Sequence, residues 1–153
     1  MADNVTPEVR SKMMSSIRGK DTKPELIIRR GLHRLGYRFR LHDKRLPGTP
    51  DLVFQKHQAV IQVQGCFWHG HECHLFKWPS TRKEFWKAKI TGNRERDICN
   101  LLALDNLCWR TLTIWECALK GHARLPIEEV LKESACWLKD GIGSLSIMGR
   151  VEA

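Results

Sequence analysis

Cysteine and histidine alternate with aromatic residues in one nine-residue segment, residues 66–74, whose sequence is CFWHGHECH. Cys66, His71 and Cys73 have the spacing of zinc ligands, and a structural zinc site takes four such donors at about 2.0 to 2.3 Å. The fourth ligand must lie elsewhere, and the candidates are His69, His74, Cys99, Cys108, Cys117 and Cys136. Cys117 is favoured because it ends an apolar run typical of a buried strand. The alternative is a set of free thiols beside surface histidines, which such dense spacing disfavours.

A second group of residues indicates phosphodiester hydrolysis. A Pro-Asp pair ending at Asp51 opens a predicted strand, and a short hairpin leads to a second strand that ends in Gln-Val-Gln at residues 62–64. Many metal-dependent nucleases place an Asp on one strand and an acidic residue plus a Lys on the next, where they hold Mg²⁺ and the attacking water. Here neither a carboxylate nor a Lys occupies 62–64, so Asp51 would need a main-chain carbonyl, water and a base such as His69. Ordinary turn chemistry is the alternative explanation of the Pro-Asp pair.

The elements that must position these residues form an α/β succession. Hydrophobic periodicity, capping residues and turn signals predict the boundaries of each element. Gly92 is expected to interrupt the third helix. The predicted helices cover residues 6–17, 21–36, 83–104 and 128–138, and the predicted strands cover 37–41, 51–54, 59–64 and 109–115.

Length and composition favour one intracellular domain. The chain has 153 residues, 42% of them hydrophobic, which is enough for one core spanning 1–153. No stretch approaches the roughly 18 apolar residues of a membrane span, and the N-terminus lacks the apolar core of a signal peptide. We therefore expect a cytoplasmic protein whose six cysteines are metal ligands or reduced thiols rather than disulfides. The Gly- and Ser-rich tail at 141–153 is expected to be loose.

Positive charge is concentrated near the N-terminus. The net charge is +9, and residues 1–46 hold 12 Lys and Arg against 5 Asp and Glu. Such side chains neutralise phosphates and release counterions, so the basic helix within residues 1–20 is a candidate for clasping DNA, and it could be disordered without DNA. A solvated helix face would show the same charge.

The motifs of the chain resemble those of the very short patch repair (Vsr) endonucleases, which are bacterial DNA mismatch nucleases. The resemblance covers about residues 10–121. It rests on Arg10-Ser11-Lys12, Met14, Asp21-Thr22, Glu25, Leu46-Pro47-Gly48, Pro50-Asp51, Gly65-Cys66-Phe67-Trp68-His69, His71, Cys73, Thr81-Arg82, Glu84-Phe85-Trp86, Lys89-Ile90, Asn93, Arg96-Asp97 and Trp115-Glu116-Cys117-Ala118-Leu119.

This resemblance implies a fold, a reaction and a set of partners. The fold would be restriction-endonuclease-like, with a central mixed β-sheet flanked by helices. The reaction would be Mg²⁺-dependent nicking of one strand, 5′ of the T in a T:G mismatch left by deamination of 5-methylcytosine. The substrate would be double-stranded DNA bound by a monomer, and mismatch-repair proteins are candidate partners.

The resemblance also assigns catalytic roles. Asp51 matches the metal-binding Asp, and Val63 stands where a main-chain carbonyl binds Mg²⁺. His69 matches the catalytic His, whose expected task is general-base activation of water. Glu25 matches a carboxylate that assists through water. Gln64 is a departure, because better-known members carry a second His there and Gln cannot gain charge near neutral pH.

By the same resemblance, Cys66, His71, Cys73 and Cys117 are the structural zinc ligands. Since four ligands close the coordination sphere, this zinc would hold the loop rather than catalyse. At least one of the aromatic side chains on the loop is expected to be exposed. Residues matched to DNA contacts are Met14, Phe67 and Trp68, expected to wedge beside the mismatch, and Trp86, Lys89 and Asn93, expected near the bases.

Two rival functions share many of these features. A restriction-type nuclease would cut both strands of intact DNA and would dimerise to reach two phosphates. A zinc-stabilised DNA-binding module without catalysis is favoured by the missing acidic residue and Lys at 62–64.

Overall fold

Five strands and three helices make up the described part of the chain. The computed structural model of the protein describes residues 21–150, so the predicted helix at 6–17, the basic segment 1–20 and Met14 lie outside the described residues. The helices are α1 (Lys23–Arg34), α2 (Lys83–Asn106) and α3 (Ile127–Asp140), and the strands are β1 (Arg40–Leu41), β2 (Leu52–Phe54), β3 (Ala59–Gln64), β4 (Arg110–Trp115) and β5 (Leu145–Ile147).

The strands form one mixed sheet in the order β1-β2-β3-β4-β5. The first three strands are antiparallel neighbours, whereas β3 pairs with β4, and β4 with β5, in parallel. Each parallel connection contains a helix, α2 between β3 and β4 and α3 between β4 and β5, as parallel pairing requires a long crossover. The parallel register sets Gln64 opposite Trp115, so β3 and β4 end at the same edge.

The two faces of the sheet are covered by different helices. Because successive strand residues point to opposite faces, Ile61 and Val60 belong to different cores. Ile61 joins a large cluster with residues of α1 and α3, such as Leu32 and Leu138. Val60 joins a smaller cluster with Leu104 of α2. Among the described residues, the sheet therefore has α1 and α3 on one face and α2 on the other.

Helix α1 begins as its sequence predicts. Thr22 is the N-cap, and its side chain accepts the Glu25 N–H. Pro24 lies in the first turn, where a backbone N–H would have no acceptor within the helix, so proline costs no hydrogen bond there. After the helix, Gly36 has a left-handed backbone (φ 99°) that suits a helix end.

Three expectations from the sequence are wrong. Helix α2 runs without interruption through Gly92, because the modest cost of one helical Gly, about 1 kcal/mol, is outweighed by the packing of the helix at Trp86, Ile90 and Leu104. The expected strand 37–41 is reduced to β1. The tail is not loose throughout, since Leu145–Ile147 pairs with β4 as an edge strand.

None of the helices within residues 21–150 is long and apolar enough to cross a membrane.

Candidate active site and metal centre

Four potential zinc ligands meet beyond the shared edge of β3 and β4. Cys66 follows β3 by one residue, and Cys117 follows β4 within a short 3-10 turn. His71 and Cys73 lie on the loop after Cys66, and the ligand atoms of all four residues lie within 4.8 Å of one another. The parallel pairing of the two strands thus brings together residues 51 positions apart in sequence.

The surroundings of these side chains suit thiolate and neutral imidazole donors. The Cys117 N–H donates to Cys66 Sγ (3.3 Å) and the Gly149 N–H donates to Cys117 Sγ (3.2 Å). Burial raises the pKa of the Cys66 and Cys117 thiols, so a cation is needed to stabilise their ionised forms. Burial lowers the pKa of His71, which keeps this imidazole neutral and able to bind metal. The donor set of three sulfurs and one nitrogen fits Zn²⁺.

The other ligand candidates do not join this cluster. Cys99, Cys108 and Cys136 are exposed and free. The ring of His74 packs on that of His122 at 4.0 Å. His69, although only two residues before His71, is held by a carboxylate on another element.

That carboxylate belongs to Asp97, on α2. His69 Nδ1 lies 2.6 Å from Asp97 Oδ2, and both side chains are about one-quarter exposed. A proton shared at Nδ1 leaves Nε2 as the free, basic nitrogen. One turn earlier on α2, Asn93 donates to the Trp68 carbonyl (2.7 Å), so the helix holds the loop at two adjacent points. The sequence marks Asp97 only as part of a motif, although its four-residue spacing from Asn93 places both on one helix face.

Asp51 is fixed against the end of β3. Its Oδ2 accepts the Val63 N–H at 2.8 Å. Burial and, to a smaller extent, the nearby Glu25 raise the pKa of Asp51 to about 6, against the opposing effects of the Val63 N–H and His42. A carboxylate whose charge is poorly solvated and lies beside another carboxylate is a favourable ligand for a cation.

Glu25 lies almost fully buried beside Asp51, with 2% exposure. Its Oε1 accepts the Asp21 N–H (3.1 Å), and its Oε2 accepts from Arg29 (3.0 Å) and lies 2.9 Å from His42 Nε2. His42 Nε2 is also 4.0 Å from Asp51 Oδ1. Sequence reasoning missed His42, since a lone His after a short strand carries no spacing signal.

Gln64 lies on the α2 face of the sheet and lines an open cleft beside His69. Its Nε2 donates to Gln62 Oε1 at 3.0 Å, and the two amides form part of the floor. The cleft has a volume of about 410 Å³ and also includes Asp97 and Thr113 in its lining. The structure therefore places Gln64 on the same cleft as the expected base.

The aromatic residues matched to DNA contacts pack on one another. Phe67 contacts Trp68 and Trp86 with ring centroids 5.3 Å apart in each case. Phe67 and Trp68 are both partly buried and Trp86 is 7% exposed, so the expectation that one loop aromatic is exposed is wrong. Mutual ring packing covers them. Lys89 is exposed, whereas Asn93 bonds to the loop as described above.

Comparisons with known proteins show which family the chain is similar to. The profile of the family described as DNA mismatch endonuclease Vsr matches residues 2–75. A type II nicking enzyme of Xanthomonas oryzae pv. oryzae, V.XorIIP, is 47% identical over 82% of this chain and 92% of its own length. The DNA mismatch endonuclease Vsr of Escherichia coli (strain K12) is 44% identical over 90% of this chain and 88% of its own. The chain belongs to the Vsr family of DNA mismatch endonucleases.

Proposed function

We propose that this chain nicks one strand of double-stranded DNA on the 5′ side of the T in a T:G mismatch left by deamination of 5-methylcytosine. Its family membership supports mismatch cleavage, and the names of several relatives support nicking. The structural observation that carries the proposal is that neighbouring residues at the end of β3 anchor the Asp51 carboxylate and the loop that carries His69. Asp51 accepts the Val63 N–H, and the His69 N–H donates to the Gly65 carbonyl at 3.3 Å. The end of β3 therefore fixes the Asp51 carboxylate, and the residue after it fixes the backbone of the loop that carries the His69 imidazole.

Asp51 and the Val63 carbonyl are the groups that would hold Mg²⁺, and Glu25 would assist through water. All three offer oxygen, which Mg²⁺ prefers. The fit is supported by the raised pKa of Asp51 and by the buried Glu25 carboxylate beside it. A bound divalent cation would stabilise negative charge on the reacting phosphate.

His69 is the proposed general base. Asp97 accepts its Nδ1 proton, which orients the ring and leaves Nε2 to take a proton from the attacking water. The same carboxylate stabilises the imidazolium that forms, as the Asp does in Ser-His-Asp hydrolases. Gln64 is a supporting residue on the same cleft and contributes hydrogen bonds without a change of charge.

Zn²⁺ bound by Cys66, His71, Cys73 and Cys117 would serve as structure. It would fasten the loop that carries His69 to the end of β4. A closed site of four protein ligands leaves no position for substrate.

DNA recognition is proposed to use residues from several segments. Phe67 and Trp68 would wedge beside the mismatch, where unpairing costs least. Because both rings pack against Trp86, we propose that DNA binding separates this aromatic cluster. Lys89 and Asn93 would lie near the bases. Met14 and the basic segment 1–20, outside the described residues, would contact the duplex from the opposite side.

We further propose that the chain is a single restriction-endonuclease-like domain acting as a monomer in the cytoplasm, with mismatch-repair proteins as candidate partners. The five-stranded mixed sheet with helices on both faces supports this fold class. A single site suffices for one nick, so a second subunit is not required.

The proposal is tested by strand-cleavage assays on three duplexes that carry T:G, T:A or C:G at one position. We expect Mg²⁺-dependent nicking of the T-containing strand of the T:G duplex alone. Equal cutting of all three would refute mismatch selectivity, and cleavage of both strands would favour a restriction-type nuclease. Asp51→Ala should remove the product; normal cutting by that variant would refute the proposed site.

A further inference from the structure

His42 occupies a position between two carboxylates of the proposed magnesium site. Its side chain is 16% exposed, and Nε2 lies 2.9 Å from Glu25 Oε2 and 4.0 Å from Asp51 Oδ1. The backbone also ties this residue to the site, because the His42 N–H donates to the Asp51 carbonyl at 3.0 Å. The imidazole is therefore held in place by the strand end that carries Asp51.

The charged side chains around His42 determine which atoms of the site can bind a cation. Arg29 bridges Asp21 Oδ1 (2.7 Å) and Glu25 Oε2 (3.0 Å), so a protein cation already occupies the space between those two carboxylates. His42 approaches Glu25 from the side that faces Asp51. The side chains of Glu25, His42 and Asp51 thus bring two carboxylates and one ring nitrogen together, beside the Val63 carbonyl.

We propose that His42 is a nitrogen ligand of the divalent cation bound at Asp51, a role that rests on the proposed nuclease function. Mg²⁺ does not require a nitrogen ligand, since it prefers oxygen ligands and keeps several bound waters. Transition metals accept imidazole readily. The cation site of this chain therefore has a donor set that favours Mn²⁺ and similar ions over Mg²⁺ more strongly than a site built of oxygen alone.

The test uses Mn²⁺ as the probe, on the full chain with zinc bound and no DNA. Mn²⁺ stands at the weak end of the divalent affinity order, so it will not displace zinc from three thiolates. Pulsed electron paramagnetic resonance reports nitrogen nuclei that are directly bonded to Mn²⁺. We expect an imidazole coupling in the wild-type protein that disappears in His42→Asn. We also expect this variant to bind Mn²⁺ about tenfold more weakly while Mg²⁺ affinity, measured by displacement of Mn²⁺, changes less than about threefold.

Asn is the chosen replacement because His42 has a left-handed backbone (φ 46°), which Asn tolerates better than most residues. His33→Asn, on an exposed position of α1, is the matched control and should keep both the coupling and the affinity. Zinc content and the unfolding midpoint establish that His42→Asn is folded; if it is not, His42→Gln replaces it in the same measurements.

Two results would overturn the proposal: the wild-type protein shows no nitrogen coupling, or His42→Asn keeps it. Equal weakening of Mn²⁺ and Mg²⁺ binding in His42→Asn would contradict the inferred preference of the site for Mn²⁺. The outcome is separable from the nuclease proposal because the spectra need no turnover. If the wild-type protein nicks the T:G duplex while the coupling is absent, only the role of His42 fails; if it does not nick, the nuclease proposal fails whatever the spectra show.

Discussion

The Nδ1 atom of His69 lies 2.6 Å from Oδ2 of Asp97, although the two residues are 28 positions apart in sequence. Asp97 belongs to the long helix α2, whereas His69 belongs to the loop after β3. A rigid element therefore holds the proton on one nitrogen of a loop side chain. The contact resembles the base and orienting carboxylate of many hydrolytic sites.

Asp97→Asn should lower the nicking rate about 100- to 1,000-fold, with little effect on DNA affinity. The amide can hold the ring but cannot stabilise the imidazolium, and it favours the wrong tautomer. Single-turnover nicking and DNA binding are the measurements. Asp105→Asn, an exposed position on the same helix, is the control and should behave as wild type. A fall in binding that accounts for the whole effect would contradict the assigned role.

Asp51→Asn should abolish nicking and yet stabilise the protein when no Mg²⁺ is added. Burial raises the pKa of Asp51 to about 6 in the folded protein. A carboxyl group with a raised folded-state pKa binds its proton more tightly in the folded state, so its contribution to stability is present at pH 4 and is lost as pH rises to 6. At pH 8 we expect a gain of about 3 kcal/mol in the free energy of unfolding, at about 1.4 kcal/mol for each unit by which the pKa is raised above its ordinary value of 3.8.

The gain should shrink towards zero at pH 4, as followed by denaturant unfolding. Asp140→Asn, an exposed position at the end of α3, serves as the comparison and should show no such pH dependence. A stability difference for Asp51→Asn that stays constant from pH 4 to 8 would mean that Asp51 does not titrate in this range.

Cys117→Ala should lose zinc and stability together. Its sulfur lies 3.7 Å from His71 Nδ1 and accepts the Gly149 N–H, so its removal leaves three ligands and an unpaired N–H. We expect zinc below stoichiometric levels and a loss of about 3 kcal/mol or more in the free energy of unfolding. Cys136→Ala, an exposed thiol, should retain both. Full zinc occupancy in Cys117→Ala would exclude this ligand assignment.

Gln64→His should retain or raise nicking. The position faces the cleft that includes His69, and Gln64 there donates to Gln62. A histidine can make the same hydrogen bond and can also carry charge beside the phosphate. Gln64→Leu, which keeps a similar volume without the amide, should reduce the rate. Loss of nicking in a folded, zinc-loaded Gln64→His protein would contradict a supporting role.

Gly70→Ala should destabilise the protein and slow nicking, because Gly70 joins His69 to His71. Gly70 has a left-handed backbone (φ 61°), and an added Cβ would lie 2.6 Å from Ile90 Cγ2. We expect a loss of about 2 kcal/mol from strain and overpacking. Gly92→Ala should instead stabilise the protein by up to about 1 kcal/mol. Gly92 lies within a regular helix, and the nearest atom to an added Cβ would be 3.6 Å away. Thermal or denaturant unfolding of both variants measures the contrast.

The sequence predicts the fold best where signals are local. Capping residues and hydrophobic periodicity predict the N-cap at Thr22, the strands β2, β3 and β4, and the helix α3. The edge strand β5 was missed because Leu145–Ile147 is short and flanked by Gly and Ser. Its pairing with β4 depends on contacts made far along the chain.

The candidate site likewise contains residues that local sequence signals predict and residues that they do not. Cys66, His71 and Cys73 are recognisable from spacing, and the end of an apolar run drew attention to Cys117. His42 was not recognisable, because its significance comes from Glu25, which is 17 positions away. Such pairings arise from tertiary packing and leave no periodic trace in the sequence.

A metal ion bound by both Cys66 and Cys117 would also restrict the unfolded chain. The segment that they bracket spans 51 positions and contains the whole of α2, with Asp97 near its middle. A metal ion that joined them would act as a reversible cross-link, and a disulfide closing a loop of this length is worth about 4 kcal/mol in the chain-entropy description. Zinc supply would then govern how far the polypeptide can open, and Asp97, the partner of the proposed catalytic imidazole, would stay within the same closed loop.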